Sequence, residues 1–232
     1  VCEAWQPPAA RAILCGACVD ALMAVAGPRC DRCSAPVDGL PDGSPCRNCA
    51  QWTDISFARA IVLSDFRGVA HDAIHGLKFN GIRQMGRFLG SRFAVHPDLQ
   101  TKLAPLDLLI PVPLHGARQR ERGYNQAEEI ARGLASELHI PLVNDCLRRI
   151  RPTRQQAKLE AAERLENMTG AFAAASRLAA SPHCIGLVDD VMTTGATLSA
   201  CAEALRVVTG AQIIGLAIAS PFRGAPEPIT LT

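Results

Sequence analysis

Two adjacent carboxylates follow an apolar run, and a turn of small and hydroxyl-bearing residues follows them. The run is 185–188, the carboxylates are Asp189 and Asp190, and the turn is Thr193, Thr194, Gly195, Ala196 and Thr197. The apolar run predicts a buried strand, and residues 198–208 have the spacing of an amphipathic helix. Backbone N–H groups at a helix N-terminus bind anions, and carboxylates accept hydrogen bonds from vicinal hydroxyls. The pattern therefore predicts a ribose 5-phosphate site, with an acidic N-cap before a turn as the alternative.

The elements that must position this turn alternate between strand and helix. The predicted strands are 55–66, 106–113, 142–150, 184–191 and 212–219, and the predicted helices are 68–79, 82–95, 125–138, 160–168 and 198–208. This alternation predicts an α/β fold with a mainly parallel, twisted sheet and helices on both faces. Ligands of such sheets bind outside the carboxyl ends of the strands. Asp189–Asp190 and the turn Pro111-Val112-Pro113 both fall at such ends.

Cysteines give the second chemical pattern. Seven of the ten cysteines lie in the first 49 residues, and six of them form the Cys-x-x-Cys pairs Cys15/Cys18, Cys30/Cys33 and Cys46/Cys49. Eleven and then twelve residues separate the pairs, and twelve residues separate Cys2 from Cys15. Each pair can give two thiolates to a tetrahedral Zn²⁺. A disulfide framework and a redox motif are the alternatives, but the regular repetition of the pair favours structural zinc.

The pairing of these cysteines has two solutions. The spacing makes Cys2 the expected second member of a fourth pair, whose first cysteine would precede Val1. In the sequential solution, Cys30, Cys33, Cys46 and Cys49 form one site, and Cys2, Cys15 and Cys18 join the upstream cysteine in the other. A cross-braced arrangement also fits the spacing. In either case, metal binding would supply most of the folding energy of this segment, on the order of 10 kcal/mol per site.

Composition divides the chain near residue 54. Residues 1–54 are rich in cysteine and proline and predict a small zinc-ribbon module, whereas residues 55–232 predict the α/β domain. A net charge of +2 supplies no bulk electrostatic attraction for nucleic acid. No run of eighteen apolar residues occurs, so we expect no membrane insertion and a cytoplasmic protein.

Further motifs extend the pattern over nearly the whole chain. The turn after the diacid closely resembles the motif that binds phosphoribosyl pyrophosphate (PRPP) in type I phosphoribosyltransferases. The other motifs are His75-Gly-Leu-Lys-Phe79, Pro111-Val-Pro-Leu-His115, Arg118, Arg122-Gly-Tyr-Asn-Gln126, Thr153, Gln156, Arg164, Asn167 and Phe172. In this order they resemble the ComF family, in which double zinc ribbons precede a phosphoribosyltransferase domain. The chain departs from that pattern at its N-terminus, where the first Cys-x-x-Cys is present only as Cys2.

The resemblance implies a role for each motif. Asp189 and Asp190 would position the ribose hydroxyls, and the turn 193–197 would hold the 5-phosphate. Pro111, Val112 and Pro113 would occupy the position of the pyrophosphate loop, with Arg118 and Arg122 on a mobile segment after it. Guanidinium groups suit phosphate oxygens, so these two arginines join the diacid as candidate catalytic residues. Mg²⁺ would bridge hydroxyls and pyrophosphate, and Zn²⁺ would be structural.

The resemblance to the ComF family implies two alternative functions. The first is an enzyme that transfers a phosphoribosyl group from PRPP to an acceptor that the sequence does not identify. The second is a non-catalytic or ligand-regulated module that binds single-stranded DNA in natural transformation, through its zinc ribbons and arginine clusters. In the second, PRPP or a related phosphoribosyl nucleotide would regulate DNA binding, and a helicase-like competence protein would be a partner.

Overall fold

A computed structural model describes residues 13–24, 27–37, 46–50, 52, 55–151, 168–174, 178 and 181–222. The helices in these ranges are α1 (Gly16–Met23), α2 (Gly68–Phe79), α3 (Arg83–Ala94), α4 (Gln100–Leu103), α5 (Gly116–Arg122), α6 (Gln126–Leu138) and α7 (Ala196–Arg206). The strands are β1 (Arg59–Asp65), β2 (Leu108–Pro111), β3 (Leu147–Arg149), β4 (Phe172–Ala174), β5 (Cys184–Val191) and β6 (Gln212–Ser220).

Four strands form a parallel sheet in the order β1-β6-β5-β2. Successive side chains along each strand point to opposite faces. On β1, Ile61 and Leu63 pack with α1, α2, α3 and α6, whereas Ala60 and Val62 pack on the other face with α7. Both faces are therefore covered by helices, as a parallel sheet requires, and the predicted fold class is confirmed.

Helices α3 and α6 approach each other closely because glycines line their contact. A Cβ atom at Gly90 would lie 2.0 Å from the carbonyl oxygen of Ile130, and one at Gly133 would lie 2.1 Å from that of Arg87. Glu129, which is buried on α6, bonds Arg83 and Arg87 of α3 at 3.0 and 2.8 Å. This contact fixes the start of α6, which lines the cavity described below.

The strand predicted over 142–150 is wrong in its extent and its partner. Only Leu147–Arg149 is a strand, and it pairs antiparallel with Phe172–Ala174 outside the main sheet. The chain runs beside β2 only where Pro141 and Val143 bond Leu109, at 2.9 Å each, and then bends away. The first strand is also shorter than the predicted 55–66. Most of the helix predicted over 160–168 lies outside the described residues.

Helices in the described ranges are too short or too polar to cross a bilayer. The domain boundary predicted near residue 54 stays a prediction.

Candidate functional site

A cavity of about 910 Å³ opens at the carboxyl ends of β2 and β5. Helix α6, which follows β2, packs on one face of the sheet, and α7, which follows β5, packs on the other. The two chain paths therefore diverge between these neighbouring strands, and such switch points are where open α/β sheets bind ligands. The volume falls within the range of pockets that hold small molecules.

The diacid forms one wall of this cavity. Asp189 and Asp190 both line it, and the backbone N–H of Asp190 donates to Oδ1 of Asp189 at 2.8 Å. Burial first, and the neighbouring Asp190 carboxylate second, raise the pKa of Asp189 to about 7. The nearby cations Lys78 and Arg149 oppose this shift. Asp189 therefore titrates closer to neutral pH than an ordinary aspartate does.

Lys78 joins helix α2 to the diacid. Its ammonium lies 2.7 Å from Oδ1 of Asp190, and the two side chains are 23% and 13% exposed. The pair sits in the cavity wall, where it is shielded from water more than a surface pair would be. The sequence analysis named Lys78 only as part of the motif His75–Phe79, so this contact is a finding of the structure.

The turn after β5 leads into the first turn of α7. Gly195 is the N-cap with φ +78°, a left-handed conformation that glycine adopts without steric cost. The Ala196 N–H donates to Oγ1 of Thr194 at 3.4 Å. Thr193 and Thr197 line the cavity, whereas Gly195 and Ala196 are buried behind it. The predicted turn is therefore a hydroxyl-lined helix start facing the diacid.

The segment after β2 forms another part of the cavity wall. Pro111 pairs with Val188 across the sheet, and the Val112 N–H donates to the Val188 carbonyl at 2.8 Å. Val112 and Pro113 line the cavity, whereas Pro111 belongs to the strand. The carbonyl of Val112 accepts from Nδ2 of Asn125 at 2.9 Å, so this side chain ties the segment to the start of α6.

The motif at the start of α6 contains Tyr124, Asn125 and Gln126, and each side chain has a distinct position. Asn125 is the N-cap of α6, and its Oδ1 accepts from the Ala127 N–H at 3.1 Å. The Tyr124 hydroxyl donates to the Leu77 carbonyl at the end of α2. Gln126 lines the cavity at 1% exposure, and no residue in the described ranges hydrogen-bonds its amide. Sequence reasoning gave Gln126 no role.

Arg118 and Arg122 both line the cavity from α5. The segment expected to be mobile is a seven-residue helix with no buried residue of its own. Arg122 lies over the ring of Phe79, with 5.4 Å from Cζ to the ring centroid, and Phe79 is 65% exposed. The two guanidinium groups thus belong to the same cavity as the diacid, and the mobility of this segment stays a prediction.

Arg149, which belongs to one of the arginine clusters of the sequence, also lines the cavity. It lies on β3, which packs in the core cluster that contains α7, and its guanidinium is 5.4 Å from the ring centroid of Phe172. Burial first, and then the positive charge of Arg118, lower the pKa of Arg149, whereas Asp189 raises it. The family positions Thr153, Gln156, Arg164 and Asn167 lie outside the described residues.

A second site lies in the N-terminal segment. The Sγ atoms of Cys30, Cys33, Cys46 and Cys49 all lie within 4.8 Å of one another, and all four residues are buried. Neighbouring Sγ atoms are 3.3 to 3.7 Å apart. In a tetrahedral zinc site with Zn–S bonds of about 2.3 Å, sulfurs are roughly 3.8 Å apart. The cluster therefore fits one metal ion such as zinc, in the sequential pairing.

The thiols of this cluster are electrostatically unequal. Burial raises the pKa of the Cys30 thiol, but the backbone N–H groups of Arg32, Cys33 and Cys46 outweigh it and lower the pKa to about 7. Burial raises the pKa of Cys49 to about 11 and that of Cys33 further. A bound cation is what allows four adjacent buried thiols to be thiolates together.

The turn that contains Cys30 and Cys33 packs on the edge strand β1. Ser34 follows Cys33 in a left-handed conformation (φ 61°), and its hydroxyl donates to the Ala60 carbonyl at 3.1 Å and accepts from the Val62 N–H at 3.2 Å. The Ala60 N–H donates to the Arg32 carbonyl at 2.8 Å. These bonds cover polar groups of an edge strand and join the cysteine cluster to the sheet.

The other N-terminal cysteines form no comparable group within the described ranges. Cys15 is the N-cap of α1, and Cys18 is buried in the core with Leu14 and Leu22. Cys2, their expected co-ligand, lies outside the described residues. A second metal site from Cys2, Cys15 and Cys18 stays a prediction.

The protein combines a parallel α/β sheet, with a cavity at its switch point, and a four-cysteine cluster of zinc-ribbon type. It is therefore an α/β protein with a cysteine-rich module. No protein-family model matches the chain. It is 31% identical over 210 residues to Competence protein F of Haemophilus influenzae, covering 88% of this chain and 90% of that protein. It is 30% identical over 183 residues to DNA utilization protein YhgH of Escherichia coli K12, covering 76% and 79%. Competence protein ComFC of Bacillus subtilis is 28% identical over 203 residues, covering 83% and 77%. The chain belongs to the ComF family.

Proposed function

We propose that the cavity binds PRPP, or a related phosphoribosyl nucleotide, as its magnesium complex. One observation supports this most: Asp189 and Asp190 lie in one cavity with Thr193 and Thr197 at the start of α7. Carboxylates and an anion-binding helix start, side by side, match the vicinal hydroxyls and the phosphate of a ribose 5-phosphate. Carboxylate oxygens are also ligands that Mg²⁺ prefers.

Each wall of the cavity has a part in this proposal. Thr193 and Thr197 hydroxyls and backbone N–H groups of the turn bind the 5-phosphate, aided by the helix dipole. Asp189 and Asp190 accept hydrogen bonds from the ribose hydroxyls, and Lys78 shares Asp190 with them. Arg118 and Arg122 bind the pyrophosphate oxygens from α5. Arg149 adds a further cation on the side of β3.

The reaction class that follows is phosphoribosyl transfer. The bond from the anomeric carbon to pyrophosphate breaks, the acceptor forms the new bond, and pyrophosphate leaves with the bonding electrons. Positive charge develops on the ribose, and the two carboxylates stabilise it. The arginines stabilise the negative charge on the leaving group. The residues that line the cavity do not specify the chemical class of the acceptor.

Isothermal calorimetry with magnesium PRPP tests this proposal. We expect binding to the wild type and a loss of at least about tenfold in affinity for Asp189→Ala/Asp190→Ala, which removes both hydroxyl acceptors. Asp98→Ala, an exposed carboxylate outside the cavity, is the matched control and should bind as the wild type does. Undiminished binding by the double variant would rule out the role of the diacid.

A row of rings beside the cavity favours a second candidate function, binding of single-stranded DNA. Along α2 and the segment that leads into it, ring centroids are 5.2 Å apart for Phe66–His71, 6.2 Å for His71–His75 and 4.7 Å for His75–Phe79. His71, His75 and Phe79 are exposed, and bases of a single strand stack on such rings. The names of the relatives, Competence protein F and DNA utilization protein, agree with this candidate.

Fluorescence anisotropy with a labelled oligothymidylate separates the two candidates. Under the second, His75→Ala/Phe79→Ala weakens oligonucleotide binding, and affinity falls as salt rises. His139→Ala, an exposed histidine at the end of α6, is the control. Binding that the ring variant leaves unchanged would exclude this row as the DNA surface.

A further inference from the structure

The residue Trp52 lies between the cysteine cluster and the candidate phosphosugar site. Its side chain packs both against the cluster of Cys30, Cys33, Cys46 and Cys49 and against the core that contains α7. Its ring meets that of Phe57 edge to face, with centroids 5.4 Å apart. Two aromatic side chains therefore connect the cysteine cluster to the helix that begins at the candidate site.

On the side of the candidate site, these rings lie beside Gly195, the N-cap of α7. A Cβ atom built on Gly195 would lie 3.3 Å from the Phe57 ring and 3.6 Å from the Trp52 ring. The backbone N–H of Ser56 donates to Oγ of Ser199, in the first turns of the helix, at 2.9 Å. The start of α7, and with it the turn 193–197, thus rests on the segment that leaves the cysteine cluster.

On the side of the cluster, Trp52 is held by the turn that contains Cys46 and Cys49 and by the turn that contains Cys30 and Cys33. Its backbone N–H donates to the carbonyl of Cys49 at 3.0 Å. From the other turn, Arg32 lies over the Trp52 ring, 5.7 Å from Cζ to the centroid, and its Nη2 donates to the Trp52 carbonyl at 3.3 Å. A metal ion that joins Cys30 and Cys33 to Cys46 and Cys49 therefore also fixes the two anchors of Trp52.

We propose that Trp52 is a positioning residue for the turn 193–197, and that metal occupancy of the cysteine cluster sets ligand affinity in the cavity through it. This inference rests on the proposed function for its ligand. With metal bound, both anchors are fixed, the rings support Gly195, and the turn is preorganised for a phosphate group. Without metal, the two cysteine turns separate, Trp52 loses its anchors, and ordering the turn opposes binding.

The first experiment compares zinc-loaded and zinc-stripped wild type in calorimetry with magnesium PRPP, after the chelator has been removed. We expect affinity to fall about tenfold on stripping, within the usual range of coupling between two sites, and to return when Zn²⁺ is restored. Hydrogen exchange, measured on the same samples, should increase at residues 193–199 and stay constant in β5 and β6. Unchanged affinity together with unchanged exchange would overturn the inference.

Variants at Trp52 test the inference even if removal of zinc unfolds the protein. Trp52→Leu should retain the full zinc content, lose about tenfold in affinity, and show the same rise in exchange at 193–199. Trp52→Phe preserves a ring above Gly195 and should bind nearly as the wild type does. If Trp52→Leu with full zinc binds with wild-type affinity and shows wild-type exchange, Trp52 does not position the turn.

Failure of the inference and failure of the proposed function give different results. If zinc-loaded wild type binds no PRPP, the proposed function is wrong, and the exchange of residues 193–199 still decides whether zinc and Trp52 order the turn. If zinc-loaded wild type binds PRPP and stripping or Trp52→Leu changes neither affinity nor exchange, only the inference is wrong.

Discussion

The ammonium of Lys78 lies 2.7 Å from Oδ1 of Asp190, so the end of helix α2 supplies the counter-ion for the diacid at the end of β5. Two adjacent carboxylates at a partly buried position repel each other, and this cation offsets part of that repulsion. The contact also places Lys78 where a ligand's hydroxyls or metal ion would meet Asp190. We therefore expect Lys78 to affect both the stability of the site and the binding of a ligand there.

Replacing Lys78 should destabilise the protein most at high pH. At pH 8, Lys78→Met removes the cation that lies nearest the diacid, and the free energy of unfolding should fall by about 1–3 kcal/mol. At pH 5 Asp189 is protonated, because its pKa is about 7, so the loss should be smaller. Urea unfolding at both pH values measures the difference.

Lys102→Met is the matched control for this prediction. Lys102 pairs with Asp31 at 3.0 Å, but Asp31 is 82% exposed, so water screens the pair. We expect a small loss of stability that does not depend on pH between 5 and 8. Equal effects of the two variants at pH 8 would show that the Lys78 contact has no special role.

Ligand binding should release a proton below neutral pH. In the free protein, burial and Asp190 raise the pKa of Asp189 to about 7, so the folded protein holds this proton between about pH 4 and 7. Hydroxyl donors and a metal ion favour the ionised carboxylate and displace the proton. Affinity should therefore rise with pH, by up to about tenfold per unit, and level off above pH 7.

Calorimetry in buffers with different ionisation enthalpies counts these protons. The slope of observed enthalpy against ionisation enthalpy should approach one released proton near pH 6 for the wild type. Asp189→Asn is the control, since it keeps any protonation change of the ligand's own phosphates and removes that of Asp189. The same slope in both proteins would assign the proton to the ligand.

Local patterns in the sequence predicted the elements that position the site. They did not predict which strand each strand would pair with. Apolar spacing placed α2 at Gly68–Phe79, and the apolar run placed β5 at Cys184–Val191. Composition could not tell that residues 147–149 pair with Phe172–Ala174 rather than the main sheet. Strand composition indicates a strand without indicating its neighbour, so this part required the three-dimensional structure.

The candidate site shows the same division. The carboxylates, hydroxyls and cysteines of the site could be predicted from their residue types and spacing. The structure then shows the sequential pairing for Cys30, Cys33, Cys46 and Cys49. The ion pair of Lys78 with Asp190 and the placement of the Trp52 ring beside Gly195 bring together residues that are far apart in the chain. Such contacts depend on how whole elements pack, and a single sequence holds no local signal for them.

Loss of one cysteine should remove one metal ion and much of the stability of the N-terminal segment. In Cys46→Ser, the cluster keeps three thiols, and we expect one equivalent less of zinc per chain by elemental analysis. Because structural zinc contributes on the order of 10 kcal/mol to such segments, the unfolding temperature should fall clearly. Cys184→Ala alters a buried cysteine on β5 and should leave the zinc content unchanged. Full zinc content in Cys46→Ser would exclude Cys46 as a ligand.

Replacing Gln126 should raise stability and lower ligand affinity. The side chain is 1% exposed in the cavity wall, and within the described residues neither amide atom has a hydrogen-bond partner. A buried amide without partners costs about 1–3 kcal/mol, which Gln126→Leu removes at similar volume. We therefore expect the free energy of unfolding to rise by about 1 kcal/mol. If the amide bonds the ligand, affinity for magnesium PRPP falls about tenfold, the worth of one hydrogen bond.

Gln100→Leu separates this effect from a general effect of removing a glutamine. Gln100 is exposed on α4, so the control should change neither the unfolding free energy nor the affinity appreciably. Chemical unfolding and calorimetry on the three proteins give both quantities. A Gln126→Leu protein that is less stable and binds as tightly as the wild type would mean that the amide serves the fold. Opposite signs for stability and affinity would identify Gln126 as a residue kept for the ligand, since such a side chain persists at a cost to the empty protein.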